Sequence, residues 1–238
     1  MRIAVFFIFL ISLFAVATAQ TVQVVKTGTY ANKTIPQGYD LIEESTDTSY
    51  LGFVATLKII GKKHNESIAD LYYALKDKAT AMGANCYKLS DYNDSLRSLT
   101  INTYVVTDNV LKNNSYFHET NCVYIIGNDT KSSKASSFSL NGEKKTIAAS
   151  YYYRHCNQEG QEIKINKGGF VGSTVWIKWA PGKKSTFLAL SGVKLGSPPT
   201  PRPGTNGSPI TVSFSAGGLH YIDSDLGYLL AKILKESK

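Results

Sequence analysis

The chain has 238 residues, 26 Lys+Arg against 18 Asp+Glu for a formal net charge of +8, 43% hydrophobic residues and three cysteines. That length supports one large or two small domains with proper cores. The composition excludes wholesale disorder and a disulfide-dense miniature scaffold, and beyond residue 20 no apolar run is long enough to span a bilayer.

Met1-Arg2 is followed by Ile3 to Val16, apolar apart from Ser12, and then by Ala17-Thr18-Ala19-Gln20. A charged start, a short apolar stretch and an A-x-A site predict a secretory signal peptide over residues 1–19, with the mature chain starting at Gln20. Export places Cys86, Cys122 and Cys156 in an oxidising compartment, where they form at most one intramolecular disulfide. Cys86 and Cys122 both open predicted strands and are the preferred pair. Three reduced cysteines buried as small hydrophobes are the alternative. N-x-S/T patterns occur at Asn32, Asn65, Asn93, Asn113, Asn128 and Asn206. They mark glycosylation acceptors in a eukaryote and only polar loops in a bacterium. The Lys-rich composition, with Arg only at positions 2, 97, 154 and 202, points to a bacterial source.

Residues 20–49 are polar and Thr-rich, with an extended start from Thr21 to Lys26 and a turn at Pro36-Gln37-Gly38. Leu51, Phe53, Ala55, Leu57 and Ile59 then recur with a period of two, which predicts a strand with one face buried. Asn65 is the expected cap of a helix whose stripe is Ile68, Leu71, Tyr72, Leu75, Ala79 and Met82, and Gly83 ends it. Ala84 to Leu89 restarts as a strand, Asp91 to Asp94 turns, and Leu99, Ile101, Thr103 and Val105 alternate again. Residues 50–107 therefore read strand, helix, strand, strand, with one helix over one face of a mostly antiparallel sheet.

The passage Lys78-Ala79-Thr80-Ala81-Met82-Gly83-Ala84-Asn85-Cys86 carries a helix directly into a strand. It resembles the A-x-x-x-G-A-N-A-V turn of small βαββ envelope domains of the YbjQ and RcsF type. The resemblance covers residues 50–107 and implies that fold and a cell-envelope setting. The chain departs from the RcsF pattern in having neither a lipobox nor four cysteines, so no stress-sensing role is carried over.

Asp108 to Phe117 reads as a short helix or an irregular loop, and Asn121 to Ile126 as a strand. The Ser- and Lys-rich stretch 131–141 is the expected linker between an α+β domain (20–130) and a β-rich domain (142–238). In the latter, strands are expected over Thr146–Arg154, Glu162–Ile165, Gly169–Trp179 and Ser185–Val193. The last two flank Ala180-Pro181-Gly182-Lys183 as a hairpin. Five prolines fall between Pro198 and Pro209 and make a stiff, extended loop. A strand over Ile210–Phe214 and an amphipathic helix over 224–236, with Leu226, Leu229, Leu230, Ile233 and Leu234 on one face, close the chain. The fold class is α+β: a strand–helix–strand–strand module with an antiparallel sheet, then a β-rich domain with a C-terminal helix.

No G-x-S-x-G, H-E-x-x-H, P-loop or paired C-x-x-C occurs, so no enzyme class and no cofactor or metal is expected. His155 and Cys156 are neighbours on a predicted strand and face opposite ways, which disfavours a dyad. His118, Glu119 and Cys122 would suit a metal if that stretch were helical, but a loop leading into the strand and a surface histidine are the better reading. Asp223 and Asp225 beside His220 read as helix-capping carboxylates. The most suggestive side chains are Tyr151, Tyr152, Tyr153, Trp176 and Trp179. Consecutive tyrosines on a strand point to both faces, so exposed aromatic area for a sugar or a protein partner is expected. Pro198, Pro199, Pro201 and Pro203 are shaped to lie along a partner. The expected function is a non-enzymatic, exported interaction protein of the bacterial cell envelope, periplasmic, outer-membrane-associated or secreted, with a glycan-binding module as the alternative. Its partner would be an envelope protein or an anionic envelope polymer, not nucleic acid, and its membrane association peripheral.

Overall fold

The computed structural model describes residues 21–30, 38–62, 66–130, 134–168, 172–190 and 218–237. The signal peptide expected over residues 1–19, the proline loop expected at 198–209 and the strand expected at Ile210–Phe214 lie outside the described residues. The fold is mixed α+β, arranged in layers.

The first layer comprises β1 (Gln23–Thr27), β2 (Asp40–Leu41), β3 (Gly52–Ile60), β4 (Cys86–Asn93) and β5 (Ser98–Val105), in the order β1-β3-β5-β4-β2. Between β3 and β4 runs α1 (Ile68–Ala81). Its stripe Ile68, Leu71, Tyr72, Leu75 and Ala79 is fully buried against Leu57, Ile59, Leu99 and Ile101 of the sheet. The helix begins two residues later than the Asn65 cap predicts. Ser67 Oγ accepts from the Ala69 amide at 3.1 Å, and Asp129 Oδ2 accepts from the Ile68 amide at 2.6 Å. Two oxygens thus satisfy the first-turn donors. At the other end Gly83 takes φ +90° and Ala84 N–H closes on Ala79 O, as the turn sequence predicts. A short helix, α2 (Asp108–Ser115), resolves the helix-or-loop ambiguity. Its Val110 and Leu111 pack with Ile42, Leu51, Cys86 and Tyr104 on the sheet's opposite face.

The middle layer is built from β6 (Cys122–Ile126), β9 (Tyr151–Cys156), β12 (Thr186–Leu190), β13 (Leu219–Tyr221) and β14 (Lys235–Glu236), ordered β13-β12-β6-β9-β14. The outer layer is a four-stranded antiparallel sheet ordered β11-β10-β7-β8. Its strands are β7 (Ser136–Leu140), β8 (Glu143–Ile147), β10 (Glu162–Lys167) and β11 (Ser173–Lys178). The helix α3 (Ser224–Ile233) packs between the first and middle layers beside α1.

The middle sheet is covered on both faces. Cys122, Tyr124, Ile126, Phe187 and Ala189 join the core built by α1, α3 and the first sheet. The alternate residues Val123, Ile125, Leu188, Leu190 and Leu219 join a second core with Phe138, Leu140, Ile163, Ile165, Val175 and Ile177 of the outer sheet. A strand buried on both faces needs a continuous apolar run, and Cys-Val-Tyr-Ile-Ile is one. Where α3 crosses β12, Gly227 lets the helix approach so closely that a Cβ there would sit 2.2 Å from the Phe187 ring.

Four expectations are corrected. Within the expected linker at 131–141, Ser136–Leu140 instead form β7, with Phe138 and Leu140 pointing into the second core. The proposed boundary also fails to part the halves, since β6 pairs with β9 and β12 from beyond it. Strands β11 and β12 form no hairpin: β11 pairs with β10, and β12 runs parallel to β6. Asn121, at φ +58°, holds the crossing between sheets, accepting from the Ala180 amide through its side chain and donating its own N–H to Lys183 O. The C-terminal helix ends at Ile233 rather than 236. Leu234 is extended, and Lys235-Glu236 pair in parallel with Tyr151-Tyr152.

The disulfide expectation is the fourth correction. Cys122 bonds Cys156, and Cys86 is free and buried. Strands β6 and β9 place Cys122 and Cys156 directly opposite one another. Cys86 instead faces Tyr104 under α2, where burial raises its thiol pKa far above the ordinary range.

Candidate functional site

The outer sheet has one packed and one open face, and its register defines both. Ile163, Ile165, Val175, Ile177, Phe138 and Leu140 point inward. Their neighbours point out. Trp176 stands opposite Lys164, Lys178 opposite Glu162, Thr174 opposite Asn166, Asn166 opposite Ser139, and Ser139 opposite Lys144. Trp176 is 57% exposed, and Lys164 Nζ lies 5.7 Å from its ring centroid, a cation–π arrangement. Asn166 Nδ2 donates to Thr174 Oγ1 at 2.8 Å, Ser137 and Thr146 hydroxyls meet at 3.0 Å, and Lys178 Nζ lies 3.2 Å from Glu162. Among the described residues no carboxylate lies within ion-pairing distance of Lys144 or Lys164. The open face thus carries hydroxyls, amides and lysines beside one indole on the edge strand β11.

The predicted aromatic site is not assembled as one unit. Tyr151 and Tyr153 pack on the second core, Tyr153 edge-on to Phe138, whereas Tyr152 packs on the first core beside Tyr124. Each of the three tyrosines is half-buried, so consecutive tyrosines on β9 do not present the openly exposed face that they predict. Trp179 lies half-buried just past β11, its amide donating to Gln161 O. Of the five aromatics predicted as a site, only Trp176 offers a broadly exposed ring; Tyr50, Tyr116 and Phe117 are exposed elsewhere on the surface. Pro198, Pro199, Pro201 and Pro203 lie outside the described residues. Sequence reasoning missed Lys144, Lys164, Asn166 and Thr174. The signal was available in Glu-Ile-Lys-Ile-Asn-Lys and Ser-Thr-Val-Trp-Ile-Lys, where every second residue is polar or exposed.

A second cluster joins α1, β4 and α3. Asp225 Oδ2 accepts from Tyr72 Oη at 2.6 Å and Lys76 Nζ at 2.8 Å, and Tyr87 Oη donates to the Asp225 carbonyl at 2.9 Å. Tyr39 stacks on Tyr87 with ring centroids 4.9 Å apart. Burial, and then the Asp225 charge, raise the pKa values of Asp40 and Asp223. These contacts of Asp225 tie α3 to α1 and to β4, which makes this a staple between elements. Asp223 precedes α3 without a side-chain capping bond, so the cap reading holds for its position and not for its carboxylate.

Nearby, Glu43 receives Lys232 Nζ at 2.8 Å and has His118 Nε2 at 3.2 Å, off the hydrogen-bonding axis, while His118 stacks on Tyr228. Burial opposes ionisation of Glu43, but His118 and Lys232 outweigh it and lower its pKa to about 2. Glu119, Cys122 and Cys156 bring potential ligand atoms within 4.8 Å of one another, but the two sulfurs are bonded to each other and cannot act as thiolates. No family model, curated protein or solved structure matches the chain.

Proposed function

We propose that this protein is an exported, non-enzymatic binding protein of the bacterial cell envelope, working through the open face of its outer sheet. The observation that carries the reading is Trp176. Folding already buries the apolar side of β11, yet its largest side chain stands in water at the middle of the other side. A broadly exposed tryptophan in an ordered strand is the type of residue that anchors binding. The A-x-A-terminated apolar start supports export, and the resemblance of residues 50–107 to small envelope domains supports the setting.

The test is crosslinked affinity capture from the native envelope with the wild-type chain and Trp176→Ala in parallel. The expected outcome is a partner retained by the wild type and lost by the variant, both having the same circular dichroism. Equal capture by the two chains would remove this face from the function.

A further inference from the structure

Resting on that reading, we propose that the open face of the outer sheet binds a linear anionic polysaccharide. The Trp176 indole lies under a sugar ring, and Lys164, Lys144 and Lys178 meet the chain's acidic groups.

Charge is the first argument. The face carries three lysines against one glutamate, and that glutamate is already 3.2 Å from Lys178. Its ligand is therefore acidic. Spacing is the second. Neighbouring strands lie about 4.8 Å apart, and residues two apart on one strand about 6.8 Å. Lys164 is next to Trp176, whereas Lys144 is two strands away and one row over, about 12 Å from Lys164 by the same geometry. A compact anion cannot reach both lysines, but a chain bearing acidic groups along its length can. Between them lie Asn166 and Ser139, with Thr174 beside Asn166 on β11, side chains that exchange hydrogen bonds with sugar hydroxyls.

The same face argues against other ligands. Among the described residues Trp176 has no outward aliphatic neighbour on its sheet, so the described face offers little apolar area for insertion among lipid tails or for the apolar centre of a protein hot spot. Three lysines are too few for the run of phosphates that a duplex presents. The Lys164 contact leaves one face of the indole to a cation and the rest of the ring to a sugar's C–H surface.

The test uses the mature full-length chain in a Trp179→Phe background, so that fluorescence reports Trp176 alone. The probes are polygalacturonate, neutral dextran and phosphatidylglycerol vesicles. Polygalacturonate is expected to shift the emission, with an affinity that falls as salt rises and at least about tenfold tighter than dextran. Isothermal calorimetry should show Lys164→Gln and Lys144→Gln each weakening binding about threefold to fivefold, and Trp176→Ala abolishing it. Dextran binding equal to polygalacturonate, indifference to both lysine variants, or a response to vesicles alone would each overturn the proposal. If polygalacturonate fails to bind while Trp176→Ala still loses its envelope partner, this inference falls and the broader reading stands. If Trp176→Ala captures that partner as the wild type does, the broader reading falls as well.

Discussion

The middle and outer sheets are both β, adjacent and packed on one shared core, yet their sequences differ in kind. Strand β6 is Cys-Val-Tyr-Ile-Ile and buried throughout; strand β10 is Glu-Ile-Lys-Ile-Asn-Lys, with apolar and polar residues alternating. The first has a layer on each side, the second a layer on one side and water on the other. A strand's pattern therefore reports how many of its faces are covered. Strand β9 shows where that reading fails. Tyrosine suits a core and a wet rim equally well, so Tyr-Tyr-Tyr leaves the number of covered faces undetermined.

Variants on the two sheets sharpen this contrast. The largest expected effect is from Ile125→Ala in β6, fully buried in the second core, which should cost about 3–4 kcal/mol in urea unfolding. Next comes the Cys122–Cys156 crosslink between β6 and β9. Replacing both residues with Ser reopens a 34-residue separation and should cost about 2–4 kcal/mol, read as a lower melting temperature matched by adding reductant to the wild type. Thiol titration of the wild type should find no reactive group in the native protein and one, Cys86, after denaturation.

A smaller effect concerns how α3 is held against the first layer. The folded carboxyl of Glu43 lies near 2, below its ordinary 4.5, so the unfolded chain takes up the proton more readily. Its contribution is full above pH 4.5 and disappears as pH falls toward 2. Glu43→Gln should cost about 1 kcal/mol at pH 7, given its partial exposure, and flatten the wild type's loss of stability across that acid range. The smallest effect is Trp176→Ala, which should move the unfolding midpoint by about 0.5 kcal/mol or less. A loss comparable to that of Ile125→Ala would break the comparison, because Trp176 would then belong to the fold rather than to the surface.

The first layer was legible because its signals are local. The stripe from Ile68 to Ala79 and the Gly83 stop each depend on residues a few places apart, and the structure follows them. What was not legible is non-local. Nothing between Val175 and Leu190 announces that two strands flanking a Pro-Gly turn belong to different sheets; the turn between them is held by Asn121, far upstream. The cysteine pairing failed similarly, because strand order, not spacing, sets Cys156 opposite Cys122. Arg97 also escaped notice. It is 2% exposed and donates to Tyr92, Asp94 and the Glu66 and Asp129 carbonyls, satisfaction that its sequence neighbours do not foretell. Of the candidate site, Trp176 was read from sequence, and its lysine and amide surround emerged only with the register.

The position of α3 has a kinetic consequence. Its leucines complete the core that α1 opens, and β6 finds its parallel partner only in β12. Hairpins such as β7–β8 and β10–β11 need only neighbouring residues, but the layered core cannot shut until the last turns of the chain arrive. Closure of such distant contacts is slow. The core between the first and middle layers therefore stays open until α3 is present.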